Sequence, residues 1–299
     1  MDITVQDFSG VYDCQPFMQG LRKCAQGSAD QGAKIRWMDC TGIPGTDCYC
    51  DDEAVEAIRK RIADAGITDA RGIHFFDNGN FHYMSKIWTD MVQEPFSLVV
   101  FDHHPDMQEP RFGNILSCGG WVKKVLDENK FIDNVVIIGV ADHLVDEIRK
   151  ELSQAGNVSI LDKVTFIRES ELYQIPGQAR NDEIQIPSQA RNDGIANTVQ
   201  TSWRPWSRHL ESASLYISID KDALAPAYAA TNWDQGSLSL EHMKAIISEI
   251  AKDRKIIGVD ICGERARDFA GDEQHSVQAA DALNDRINRE LVEFLENFF

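Results

Sequence analysis

Eight short apolar runs punctuate this chain, and helical patterns separate most of them. The runs are Ile3–Phe8, Lys34–Met38, Gly72–Phe76, Ser97–Asp102, Asn134–Val140, Val158–Leu161 (running on toward Ile167), Ser214–Asp220 and Lys255–Ile261. Unbroken apolar runs of this length suit strands buried on both faces of a parallel sheet. Between them, Asp51–Ala65 places Val55, Ile58 and Ile62 at helical spacing, with Asp51 or Asp52 available as a cap. Trp121–Asn129, Asp142–Ala155, Ser239–Asp253 and Val277–Phe298 follow the same period, and Ser239 suits an N-cap. The alternation predicts an α/β fold with a mainly parallel eight-stranded sheet and helices on both faces. No linker divides the 299 residues, so a single domain over 1–299 is expected.

One segment stands outside this rhythm. Ile175-Pro176-Gly177-Gln178-Ala179-Arg180-Asn181-Asp182 recurs as Ile186-Pro187-Ser188-Gln189-Ala190-Arg191-Asn192-Asp193. Two copies are too few for a solenoid, and the small polar residues bury little surface. The stretch 175–197 is expected to be a mobile surface insertion, with a lid over a site as the sharper alternative.

The chemistry-bearing residues sit where the apolar runs end. Leu98-Val99-Val100-Phe101 leads into Asp102-His103-His104-Pro105-Asp106. Ligand chemistry in open α/β sheets collects at the carboxyl ends of the strands. If the backbone stays extended, Asp102, His104 and Asp106 share one face and His103 points away. Ser218-Ile219-Asp220-Lys221-Asp222 ends another run, with Asp220 and Asp222 on one face. Asn78-Gly79-Asn80-Phe81-His82 follows a third, and Gly263-Glu264 a fourth. An isolated Asp-x-Asp is commonly a turn or a cap. Asp-x-His-x-Asp beside a core is costly without a cation. Carboxylates outnumber imidazoles, which leans toward Mn²⁺. The set is large enough for two ions with shared carboxylates.

Three motifs, Gly79-Asn80-Phe81-His82, Asp102-His103-His104-Pro105-Asp106 and Ser218-Ile219-Asp220-Lys221-Asp222-Ala223-Leu224-Ala225-Pro226, occur in the order and at the separations found in one family. The chain resembles the arginase–agmatinase, or ureohydrolase, superfamily over most of its length outside the insertion. The resemblance implies a three-layer α/β/α arginase-like fold and two Mn²⁺ ions. It implies one ion on His82, Asp102, Asp106 and Asp220, and the other on His104, Asp102, Asp220 and Asp222. It also implies attack of a hydroxide shared by the ions on a guanidinium or amidine carbon, with Asp106 passing its proton to the leaving amine. The products would be urea, or a simpler amide, and an amine.

Departures from the family pattern concern the substrate. The final Asp of the third motif is Ala225. The family's guanidinium-pairing Glu falls on Gly263, so Glu264 can serve only if the backbone bulges there. Leu116-Ser117-Cys118-Gly119-Gly120-Trp121 lacks the family's relay His, which leaves Ser117 as a substrate-side residue. His143 is the candidate replacement relay, with an exposed helix-start histidine as the alternative. Trp233 and Asp234, in the loop after the second Asp motif, are candidates to hold a cationic substrate through a ring face and a charge.

The net charge of −18 argues against nucleic-acid binding and suits a small cationic guanidino or amidino partner. No run reaches the ~18 apolar residues of a membrane span. The opening residues Met1-Asp2-Ile3-Thr4-Val5 show no signal peptide, and seven cysteines are an odd number, so reduced thiols in a cytoplasmic protein are expected. Cys40, Cys48 and Cys50 have poor zinc spacing and are read as free thiols. A homo-oligomer stays open. Two rival functions remain at this stage: a Zn²⁺-dependent deacetylase of the related fold, and a catalytically silent metal-binding protein.

Overall fold

The computed structural model describes residues 1–27, 34–110, 113–172 and 209–299. Its frame is one eight-stranded sheet. The strands are β1 (Ile3–Asp7), β2 (Ile35–Asp39), β4 (Ile73–Phe75), β5 (Phe96–Phe101), β7 (Ile132–Val140), β8 (Val164–Arg168), β9 (Ser214–Asp220) and β10 (Lys255–Cys262). They lie in the order β2-β1-β4-β10-β9-β5-β7-β8, and every pairing is parallel. A separate two-stranded antiparallel ribbon joins β3 (Tyr49–Cys50) to β6 (Leu116–Ser117).

Alternation along the strands divides the core in two. Val99, Phe101, Ile217, Ile219, Val259 and Ile261 face one apolar layer, which also takes Met18, Leu21, Met243, Ile246, Ile287 and Leu291. These residues come from α1 (Pro16–Gln26), α6 (Leu240–Ile250) and α7 (Val277–Leu295). Leu98, Val100, Val135, Ile137 and Tyr216 face the other layer, against Ile58, Ile62, Trp88, Val122, Val145 and Leu152. Those belong to α2 (Asp52–Asp64), α3 (Met84–Thr89), α4 (Trp121–Glu128) and α5 (Asp142–Gln154). The result is the three-layer α/β/α architecture expected of a sheet buried on both faces. The expected caps are in place: Asp51 accepts from Ala54 N at 2.8 Å and Ser239 from His242 N at 3.1 Å.

Two differences from the sequence reading stand out. Val158–Leu161 is not a strand; Val158–Lys163 forms 3-10 turns without a buried residue, and the strand starts at Val164. The sheet edge takes the segment that can bury Val164, Phe166 and Ile167. Helices α1 and α3 have no counterpart in the sequence reading. The repeat at 175–197 lies outside the described residues.

What matters for function is the middle of the sheet. Strands β4, β10, β9 and β5 are consecutive neighbours, and their carboxyl ends carry all four chemistry-bearing segments side by side. Among the described residues no helix is long and apolar enough to cross a membrane.

Candidate metal centre

Asp102 leaves β5 and the chain turns at once. His104 N–H donates to Asp102 Oδ1 at 2.6 Å, and His103 N–H to Asp222 Oδ1 at 3.0 Å. Asp106 then sits in the left-handed region at φ 48°, a strained position for a non-glycine residue and a common one at functional sites. An extended Asp102–Asp106 is therefore not what brings these side chains together; a turn is. Asp106 is held in place by Trp121 Nε1–H, which donates to its Oδ2 at 2.7 Å.

His82 enters from the loop after β4. Asn78 Oδ1 accepts from Asn80 N at 3.0 Å and shapes the 3-10 turn Gly79–Phe81 that delivers it. His82 Nδ1 lies 3.2 Å from Asp102 Oδ2, 3.0 Å from Asp106 Oδ2 and 3.5 Å from Asp220 Oδ2. Its Nε2 is 2.9 Å from Ser218 Oγ, which fixes the ring. Strand β9 ends in Asp220, whose Oδ1 accepts from Asp222 N at 2.9 Å and closes the turn Lys221–Ala223. Asp222 Oδ2 lies 3.0 Å from His104 Nδ1.

Two of the three groups of ligand atoms among the described residues meet at Asp102. His82, Asp102 and Asp106 form one; Asp102, His104 and Asp222 form the other, with all atoms of each nest within 4.8 Å of one another. Asp102 belongs to both. Its Oδ2 is buried, and His82 Nδ1, though 3.2 Å away, does not meet it in hydrogen-bond geometry. Buried carboxylate oxygens are ordinarily satisfied, so this atom suits a cation ligand.

Electrostatics agree. Burial opposes charge on His82, yet the carboxylates of Asp102 and Asp106 hold its pKa well above the ordinary imidazole value. Burial likewise opposes charge on His104, and Asp102 and Asp222 outweigh it. Burial, then the neighbouring Asp222, pushes Asp220 up to about 7. Burial and Asp102 raise Asp222. So much negative charge in one buried place draws in protons, and a divalent cation answers the same field.

A cavity of about 340 Å³ opens over the cluster. His82, Asp102, His104, Asp106, Asp220 and Asp222 line its floor. Ser117 and Trp233 line its wall, with Cys48, Tyr49 and Cys118 from the β3–β6 ribbon. Leu144, Glu147, Ile148 and Glu151 of α5 form another side. Trp233 Nε1–H donates to Asn80 Oδ1 at 3.0 Å, and its ring packs on Gly79, where a Cβ would lie 2.6 Å from Trp233 Cδ1. Asp234 Oδ1 is 3.2 Å from His104 Nε2.

Two residues expected at the site are elsewhere. The Glu264 carboxylate is buried behind β9, where it binds Lys221 Nζ and accepts from Asn288 Nδ2 at 2.8 Å and Gln15 Nε2 at 2.7 Å. Gly263 does depart from the strand, at φ 86°. A Cβ there would lie 2.3 Å from Asp220 Oδ1, so no side chain fits and the turn carries Glu264 away from the cavity. His143 is exposed on the first turn of α5 and does not line the cavity, whereas Leu144 does.

Sequence reasoning also missed residues. Ser218 lies two positions before Asp220, on the same side of the strand, so period two could have found it. Trp121 and Cys262 reach the cluster through tertiary packing alone.

Comparison with known proteins follows the same lines. The model of the Arginase family matches residues 74–283. An uncharacterized protein from Thermotoga maritima is 26% identical over 262 residues, covering 88% of this chain and 79% of its own length. Among solved structures, proclavaminate amidino hydrolase from Streptomyces clavuligerus superposes with a TM-score of 0.60 at 16% identity, covering 100% of this chain and 92% of that one. The agmatine ureohydrolase of Thermoplasma volcanium gives 0.57 at 14% identity, covering 99% and 90%. A T. brucei arginase-like protein triple mutant bound with Mn²⁺ gives 0.53 at 17%, covering 100% and 91%. With an all-parallel α/β/α frame and a family match across most of its length, the chain belongs to the arginase family.

Proposed function

We propose that this protein is a hydrolase with two Mn²⁺ ions that cleaves a C–N bond in a small cationic guanidino or amidino compound, releasing urea or a simple amide and an amine. The carrying observation is the orphaned, buried Oδ2 of Asp102, a residue shared by two adjacent ligand nests. One ion would be held by His82, Asp102, Asp106 and Asp220, and the other by His104, Asp102, Asp220 and Asp222. When bound, the ions would supply Lewis acidity and an activated water. Support for Mn²⁺ comes from the Mn²⁺-bound T. brucei protein of the same fold. The amidino hydrolase and the agmatine ureohydrolase support the substrate class.

The chain's own groups then divide the work. Asp106 faces the cavity with its Oδ2 pinned by Trp121, and takes the proton of the attacking water for return to the departing amine. Ser218 holds the His82 ring in one orientation. Trp233 offers a ring face to the cationic substrate. Ser117 lines the same cavity, and Asp234, held at His104, adds negative charge beside it. Glu264 and His143 have no part in this scheme.

The test is release of urea or amine from the Mn²⁺-loaded protein across guanidino, formimino and amidino compounds. Turnover of one of them is expected. No turnover with two ions bound would make this a silent metal-binding protein. One tightly held Zn²⁺, with no gain on adding Mn²⁺, would point to the deacetylase chemistry instead.

A further inference from the structure

Strand β10 pairs with β9 so that Cys262 stands directly beside Asp220. Cys262 is 1% exposed, and its Sγ lies 3.2 Å from Asp220 Oδ2. That same oxygen is 3.5 Å from His82 Nδ1. The Cys262 thiol, the Asp220 carboxylate and the His82 imidazole bring ligand atoms within 4.8 Å of one another. His82 is also the imidazole of the nest with Asp102 and Asp106, where Asp102 Oδ2 lies buried without a hydrogen-bond partner among the described residues. The thiol therefore borders the atoms that would hold a cation. Gly263 turns the chain away immediately afterwards, so Cys262 is the last β10 residue to face the cluster.

We infer that Cys262 is a further metal ligand, adding a sulfur donor to the ion held by His82, Asp102, Asp106 and Asp220. The inference rests on the two-ion reading above. The Cys262 S–H donates to Asp220 Oδ2. On ligation the thiol loses that proton to solvent, the sulfur supplies an electron pair to the ion, and Asp220 Oδ2 is freed to bind it too. The two sites then differ in character. The His104 site has only imidazole and carboxylate donors, which suit Mn²⁺. The His82 site has a soft donor, which favours Zn²⁺, Fe²⁺ or Co²⁺. The His82 site would therefore accept these ions alongside Mn²⁺.

Cobalt substitution reads this directly. The full-length protein is stripped with chelator and loaded with Co²⁺, bound metal is counted, and the absorption spectrum is recorded. The wild-type protein is expected to bind two Co²⁺ and show a near-ultraviolet sulfur-to-cobalt charge-transfer band. Cys262→Ser is expected to lose the band while keeping both ions. X-ray absorption on the Zn²⁺-loaded wild type should show one sulfur scatterer at about 2.3 Å. Two bound Co²⁺ without the band overturns the inference and leaves the two-ion reading standing. A band that survives Cys262→Ser and disappears in Cys48→Ser or Cys118→Ser also overturns it, because those thiols line the same cavity. Failure of wild-type protein to bind any divalent ion overturns the two-ion reading itself, and the inference with it. Should Cys262→Ser fold poorly, Cys48→Ser and Cys118→Ser decide the question: a band kept in both variants supports Cys262, and a band lost in either overturns the inference.

Discussion

Asp102 is the residue on which the cluster depends, because it serves both nests and carries the unsatisfied oxygen. Asp102→Ala should lose both ions, which metal analysis after dialysis would show. Asp234 is different in kind: it touches His104 from the solvent side, with 70% of its side chain exposed. Asp234→Ala should keep two ions and raise KM for a cationic substrate; an unchanged KM would remove it from the site. Proton competition sets the pH dependence. His82 and His104 are held protonated by surrounding carboxylates, and Asp220 takes up a proton below about 7. Each of these protons must leave before an ion binds. Apparent metal affinity should therefore rise with pH and fall most steeply below neutrality, which titration with a competing chelator would measure. Glu264 shows how a one-position displacement changes a residue's work. With Lys221 fully buried against it, Glu264→Ala would strand an uncompensated charge and cost roughly 3–5 kcal/mol of stability, readable in the denaturation midpoint.

Elements, more than individual side chains, bring the centre together. Four neighbouring parallel strands deliver His82, Asp102, Asp220 and Cys262 to one edge, although these residues span much of the chain. Parallel pairing of this kind needs crossover helices, and their caps are part of the device. Asp51 caps α2, and Asp51→Ala should cost about 1 kcal/mol, seen as a lower unfolding midpoint with metal stoichiometry unchanged. Legibility also differed by element. The runs Ser214–Asp220 and Lys255–Ile261 were plain because Leu215, Ile217 and Ile219 in one, and Ile256, Ile257, Val259 and Ile261 in the other, make short, bounded apolar runs. The β3–β6 ribbon was not, because two residues on each side leave no period to read. The turn Lys221–Ala223 was misjudged as extended; it sends Lys221 to Glu264 while Asp220 and Asp222 stay at the cavity.

Across the whole molecule, the charge of −18 and the acidic floor of the cavity act together. A cationic substrate would be drawn toward that field, so kcat/KM should fall as ionic strength rises while kcat changes little. Metal also links the two ends of the folding problem. An ion that binds only the folded chain stabilises it by RT ln(1 + [L]/Kd), about 2.7 kcal/mol at a hundredfold excess over Kd. The unfolding temperature should therefore climb with added Mn²⁺ and return on chelation.

The parallel sheet, its helices on both faces and the six candidate metal-binding residues at the strand ends were legible in the sequence. Hydrophobic period is a local property, and Asp-x-His-x-Asp after an apolar run carries its own electrostatic demand for a cation. Only the tertiary structure decided that a turn, rather than an extended strand, gathers Asp102, His104 and Asp106. It also decided that Glu264 belongs to Lys221, that His143 faces solvent, and that Cys262 belongs beside His82 and Asp220. Those outcomes depend on strand order and register, which bring residues far apart in the chain into contact and leave no periodic trace in the sequence.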